Sequence, residues 1–366
     1  MFPAPILRWL HWTLSVPVVA VVLLALTWGR NPAPVVLAIE GVFLVGSVLA
    51  AVHHAEVVAH RVGEPFGSLV LAVAVTVIEV ALIVTLTLSG KGDTSTLARD
   101  TVFSAVMLTM NGIVGLSLLV GARRHHQVVF NAEGTGSALA TVITLAGLTL
   151  VLPRFTTTEP GPVFSPAQLA FAAVASLALY GLFVFTQTVR HRDFFLPTRP
   201  DGGVLDSDDH ADPPDNATAL TSAGLLLASL IAVVGLTKLE SPAIEAGVQA
   251  LGFPQSFVGV VIALLVLLPE SIAAVKAAAR NRVQTSLNLA YGSAMASIGL
   301  TIPTIAVATI WIPGPLALGL EPVHMVLLFL SAVIAILTVT PGRARTLQGW
   351  VHLALLAAFL FLSIAP

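Results

Sequence analysis

The sequence predicts an all-α integral membrane protein of about eleven transmembrane helices. Three observations predict it. First, 56% of the 366 residues are hydrophobic and 10% are charged, whereas a soluble domain carries roughly 25% charged residues. Second, the apolar residues fall in runs of about 20, the length a helix needs to cross a hydrocarbon core of roughly 30 Å. Third, the breaks between the runs hold Pro, Gly and charge.

The runs are 12–29, 34–59, 66–89, 97–121, 136–152, 166–190, 217–238, 255–279, 283–311, 321–340 and 346–365. Arg8 followed by the apolar stretch Leu14 to Leu26 has the outline of a signal peptide. No small-x-small cleavage site follows, so it reads as a retained first span. Arg30-Asn31-Pro32 closes that span, and Gly63-Glu64-Pro65 closes the second. Ser89-Gly90-Lys91-Gly92-Asp93 ends the third, Glu159-Pro160-Gly161-Pro162 separates the fifth from the sixth, and Pro341-Gly342-Arg343 precedes the last.

Composition excludes several functions. The chain has no cysteine, which rules out disulfides, thiolate catalysis and Cys-ligated metal. A net charge of −2 argues against a nucleic-acid partner. No Gly-x-x-x-x-Gly-Lys-Ser/Thr phosphate loop is present. Of 17 Lys and Arg residues, 12 fall in loops on the side of the N-terminus. The positive-inside rule therefore places the N-terminus in the cytoplasm and, with an odd number of spans, the C-terminus outside.

Residues 199–216 hold six of the chain's 19 acids and no large apolar face. They read as a flexible cytoplasmic tether, with a cation-attracting or regulatory segment as the alternative. The spacing does not match an EF-hand loop. This linker divides the chain into an extra helix (1–30), a first five-span unit (31–192), the linker (193–216) and a second five-span unit (217–366). Five is odd, so two such units in series have opposite orientations, the inverted repeat on which many secondary transporters build a midplane site.

Two glutamates mark that midplane. Glu79 and Glu270 each stand alone as the ionisable residue in the middle of a long apolar run, in the second span of each unit. A charge at that depth costs several kcal/mol, of order 2.5–3.5 on insertion scales for Asp, Lys or Arg, and is kept for a partner or a task. Asn111 and Ser297 occupy the next span of each unit. At a rise of roughly 1.5 Å per residue all four lie about 20 Å into their helices. Thr76 shares the face of Glu79, and Ser293 that of Ser297. Pro269 removes an N–H beside Glu270 and frees the carbonyl of Leu265. Such an oxygen-rich set suits hard cations, and buried carboxylates take up protons when the cation leaves.

These residues also carry a resemblance. Gly63-Glu64-Pro65-Phe66-Gly67-Ser68 through Thr76-Val77-Ile78-Glu79-Val80-Ala81-Leu82-Ile83, then Leu97-Ala98-Arg99-Asp100-Thr101 to Met110-Asn111-Gly112, resembles the first repeat of the calcium/cation antiporter superfamily. Leu268-Pro269-Glu270-Ser271 with Asn288-Leu289-Ala290-Tyr291-Gly292-Ser293-Ala294-Met295-Ala296-Ser297 resembles the second. The likeness extends to His53-His54-Ala55-Glu56 and His125-His126, covers nearly the whole chain, and is closest to the bacterial ChaA-type calcium:proton and sodium–potassium:proton antiporters. It implies a sodium/calcium exchanger-like fold, an acidic linker before the seventh span, and a cation site built on Glu79 and Glu270 with Asn111, Ser297 and Ser293. The sequence departs from the commoner Gly-Asn-x-x-Glu pattern. Thr76 and Leu267 stand three residues before the glutamates, and Met107 stands opposite Ser293.

The expected function is thus export of Ca²⁺ in exchange for H⁺ across the bacterial inner membrane, with Na⁺ or K⁺ as alternative cargo and no cofactor. The expected partners are inorganic cations, protons and the lipid bilayer. More remote alternatives are a cation channel and an intramembrane metal enzyme using His53, His54, Glu56 and His60. The same histidines could sense cytoplasmic pH, since histidine titrates near neutrality. The order is not His-Glu-x-x-His, so the zinc-protease pattern is missing. Asp100 either lines an outer vestibule or caps its helix or pairs with Arg99. Glu240, Glu245 and Glu321 read as caps or exposed acids.

Overall fold

The computed structural model describes residues 4–30, 32–63, 66–89, 94–196, 214–311, 314 and 316–365. Most of the acidic linker thus lies outside the described residues. We number the helices α1 (Ala4–Thr27), α2 (Pro34–Val62), α3 (Phe66–Ser89), α4 (Leu97–His125), α5 (Ala132–Arg154), α6 (Pro166–Arg190), α7 (Asn216–Ala250), α8 (Phe257–Ala279), α9 (Val283–Ala308), α10 (Pro322–Val339) and α11 (Thr346–Ile364). Among the described residues nine of these are long and apolar enough to cross a membrane, and the described parts of α1 and α3 give two shorter apolar helices. The all-α, multi-span expectation holds.

One boundary moves. α7 was expected to end at Lys238 but runs on to Ala250 through Pro242. Pro242 lacks an N–H and crowds the carbonyl of Lys238, which reads as a break. The helix persists because α7 packs along α1, α2 and α3, and tertiary packing outweighs local propensity. Glu240 and Glu245 are therefore neither caps nor exposed acids. Both sit buried within α7.

The chain forms two compact units, Met1–Thr94 with His210–Gly252, and Ser95–Asp209 with Phe253–Pro366. Each draws helices from both halves of the sequence.

The first unit contains α1, α2, α3 and α7. α2 and α7 pack along each other and run antiparallel. Arg61, in the last turn of α2, donates from Nε (3.0 Å) and Nη2 (2.5 Å) to Asn216 Oδ1 at the start of α7. Asp215 caps that start by accepting the Thr218 N–H at 2.9 Å. α1 is tied in by His54 Nε2, which meets the Thr13 carbonyl at 2.9 Å.

The second unit is built around α4, which is almost wholly buried and packs on α8, α9 and α11. Its close neighbours approach over small residues, as in membrane bundles generally. A Cβ at Gly349 of α11 would come within 2.8 Å of the Gly115 carbonyl oxygen and 2.7 Å of the Leu119 nitrogen. The two ends of the unit are laced by short connections. At one, β1 (Val128–Val129) pairs antiparallel with β2 (Arg343–Ala344), and Arg124 Nη1 reaches the Ala279 carbonyl at 3.4 Å. At the other, Ala317 N–H donates to Ser95 O at 3.0 Å and Leu320 N–H to Leu150 O at 2.8 Å.

Candidate cation site

In the first unit, α3 carries Glu79 and, one turn earlier, Thr76. Glu79 is 3% exposed and Thr76 7%. Ile78, Leu82, Ile83 and Leu86 of the same helix are buried as well. The Thr76 hydroxyl is sealed and has no hydrogen-bond partner among the described residues.

The second unit holds Glu270, Asn111, Ser293 and Ser297. Glu270 is 8% exposed, on α8 directly after Pro269. Ser271 Oγ donates to the Leu267 carbonyl at 2.7 Å, so a hydroxyl turns back onto the helix beside the proline. Ser297 is buried and Ser293 half-buried on α9. Asn111 sits in a π-helical stretch, Leu108–Ile113, inside α4. Such wide turns occur where a side chain must be re-aimed. This one packs against α8, α9, α10 and α11, and α8 and α9 also pack on each other. The elements that bear Glu270, Ser297 and Asn111 are thus mutual neighbours.

The Asn111 amide has defined partners. Its Nδ2 donates to Ser331 Oγ at 2.8 Å, and Ser331 Oγ donates onward to the Leu327 carbonyl at 2.7 Å. Its Oδ1 lies 3.3 Å from His352 Nδ1, and His352 Nε2 lies 3.2 Å from Thr338 Oγ1. An amide oxygen only accepts, so Nδ1 carries a proton toward it, and Nε2 faces a hydroxyl that can donate or accept. A carbonyl oxygen has a second lone pair, so Oδ1 can serve His352 and still meet a cation.

Sequence reasoning passed over His352, Ser331 and Thr338. A signal existed for the first. His352 is the only ionisable side chain in the apolar run after Arg345. Ser331 and Thr338 look like any hydroxyl that packs helices.

The remaining expected residues fall as follows. Asp100 is buried beside Arg99. Arg99 Nε meets Oδ1 at 2.8 Å and Thr96 Oγ1 donates to Oδ2 at 2.8 Å. Arg99 also donates to Gly319 O at 3.2 Å and stands 3.9 Å from Glu321. Both oxygens of Asp100 are thus engaged. His54 joins α2 to α1, His53 meets the His54 ring edge-on at 5.3 Å, and His60 is exposed.

The fold and these residues define a class: a polytopic, all-α membrane protein that keeps single carboxylates in the middle of apolar helices. The family of sodium/calcium exchanger proteins matches residues 32–189 and 221–365, and the chain belongs to that family. A protein of Sinorhizobium fredii is 44% identical, over 97% of this chain and 96% of its own. The sodium-potassium/proton antiporter ChaA of Escherichia coli is 37% identical, over 95% and 94%. Among solved structures, an H⁺/Ca²⁺ exchanger CAX superposes with a TM-score of 0.72 over 97% of this chain and 88% of its own. At 15% identity that likeness speaks to the fold alone.

Proposed function

We propose that this protein is a secondary antiporter that moves a cation out of the cytoplasm as protons enter, with Glu79 and Glu270 taking cation and proton in turn. The observation that carries this is the burial of both glutamates, at 3% and 8% exposure, in apolar spans. Membership of the exchanger family and the proton antiporter among its relatives support it. They also argue against an enzyme.

The coupling follows from electrostatics. Buried carboxylates left charged and empty are disfavoured by desolvation. A cation or protons relieve that cost, so each ligand leaves readily only when the other replaces it. Thr76, Asn111, Ser293 and Ser297 would add neutral oxygens. Ca²⁺ is the first choice of cargo, because two carboxylates balance a divalent ion. Na⁺ or K⁺ is the second reading, favoured by the sodium-potassium/proton relative.

The same reading includes two inverted five-helix repeats, 31–192 and 217–366, after an extra helix, with 193–216 as a cytoplasmic tether. It places the protein in the bacterial inner membrane with its N-terminus inside and C-terminus outside.

The test is cation movement in proteoliposomes driven by an imposed pH gradient. Ca²⁺, Na⁺ and K⁺ are offered in turn to the wild type, Glu79→Gln and Glu270→Gln. One ion should move against its gradient, and both substitutions should stop it. Equal transport by all three proteins, or transport indifferent to pH, would reject the mechanism.

A further inference from the structure

A second pair of carboxylates is buried within the first unit. Glu40 of α2 is 0% exposed and Glu240 of α7 is 7% exposed. Both oxygens of Glu40 and Oε1 of Glu240 are sealed, with no hydrogen-bond partner among the described residues.

Three observations bring the two together. The first is register. α2 and α7 run antiparallel, joined at one end by Arg61 and Asn216. Glu40 lies 21 residues before Arg61, and Glu240 lies 24 residues after Asn216. At the helical rise these are about 32 and 36 Å from the joint, within one turn of the same level. The second is facing. Glu40 heads the buried stripe Leu44, Ser47, Val48 and Ala51 of α2, and Glu240 ends the buried stripe Val233, Leu236 and Thr237 of α7. The third is charge. The two carboxylates are near enough to act on each other electrostatically.

One hydroxyl points to a ligand. Thr237 is one turn from Glu240 and, 21 residues after Asn216, level with Glu40. It is 0% exposed, and its oxygen lacks a hydrogen-bond partner among the described residues.

The surrounding charges do not neutralise the pair. Lys238 is two residues from Glu240 and so leaves the opposite side of α7. Its ammonium sits over the ring of Trp28, the residue after α1, at 4.9 Å from the centroid. Glu245 is a further acid, five residues on and so on another face of α7. Arg30, between α1 and α2, is exposed. On α3 the one ionisable residue is Glu79. His53, His54, Glu56 and His60 of α2 begin 13 residues beyond Glu40, about 20 Å along the helix.

Two desolvated carboxylates side by side do not both stay charged without a counter-charge. We propose that Glu40 and Glu240 form a second site, within the first unit, that holds one positive charge between two carboxylates. As a proton, the charge sits on one carboxyl, which donates its O–H to an oxygen of the other. As a metal, it is a hard cation, the class that an all-oxygen set with Thr237 prefers. The site stands whether or not Glu79 and Glu270 transport anything.

The test is infrared spectroscopy of the purified full-length protein at neutral pH, read at the carbonyl stretch of protonated carboxyls. Glu79→Gln/Glu270→Gln serves as background, so the proposed transport carboxylates are silent. That background should keep a protonated-carboxyl band, directly or after a chelator strips bound metal. Either of Glu40→Gln and Glu240→Gln should shift the band, and Glu40→Gln/Glu240→Gln should remove it. Should Glu40→Gln not fold, Glu40→Asp moves the band instead. Loss of the band on adding Ca²⁺, Na⁺ or K⁺, with protons released, identifies a metal cation. A band that all three leave unmoved identifies a proton. No band with or without chelator, or a band untouched by the double substitution, overturns the site.

Discussion

Asn111 shows how little freedom a polar residue has inside a membrane bundle. Its amide gives one hydrogen bond to Ser331 and receives one from His352, and each partner is satisfied in turn by Leu327 or Thr338. Replacing His352 with Ala would orphan two buried polar atoms and open a cavity beside Gly115. Large-to-small changes and unpaired buried groups together cost about 2–4 kcal/mol, so thermal unfolding in detergent should begin well below that of the wild type. The effect should not add to that of Asn111→Ala. A double-mutant cycle should return a coupling of about 0.5–3 kcal/mol, as for residues in one network. Additive effects would mean the two side chains work separately. Charge alone in an apolar run made Glu79 and Glu270 legible from sequence. Glu40 was not legible because it stands six residues into its run, where an acid passes for an interfacial one.

At the scale of the helix, backbone proximity does what side chains do elsewhere. Gly259 of α8 faces the backbone of α4, and a Cβ there would come within 2.8 Å of the Asp100 carbonyl carbon and the Thr101 nitrogen. No flexible side-chain end can yield, so Gly259→Val should push α4 from α8. Overpacking of this kind costs about 1–3 kcal/mol. Thermal stability should fall, and Gly247→Val, which meets open space, should leave it nearly unchanged. The start of α7 offers a pH prediction. The Asp215 carboxyl lies below its usual range because hydrogen bonds from the Thr218 side chain and backbone hold it charged, with Arg61 adding attraction. A folded-state value below the unfolded one gives stability that is present above the unfolded value and lost as pH falls through the folded one. Asp215→Asn should keep a cap but lose that acid dependence, visible as a flatter curve of melting temperature against pH below about 4. An unchanged curve would remove Asp215 from the account.

At the scale of the molecule, the absence of cysteine makes topology testable. Single cysteines at Thr158 and Arg343, both exposed, can be labelled in intact cells with a membrane-impermeant thiol reagent. The proposed orientation predicts labelling of Thr158→Cys from outside and of Arg343→Cys only after the membrane is opened. The reverse pattern would invert the topology.

Hydrophobic run length and the breaks between runs determined the number of helices, because spanning a bilayer demands about 20 apolar residues and little else. Isolated charge determined which residues to suspect, because lipid makes an unneeded ionisable group costly. Tertiary structure alone decided which helices form each compact unit. α7, from the second half of the sequence, joins α1, α2 and α3 from the first, because packing surfaces choose partners irrespective of position in the chain. It also decided the length of α7, where contact with neighbours outweighs a proline. And it decided that Glu40 and Glu240, 200 residues apart, lie within about one turn of the same level, since register between helices is set by their packing and end contacts and leaves no mark on either segment.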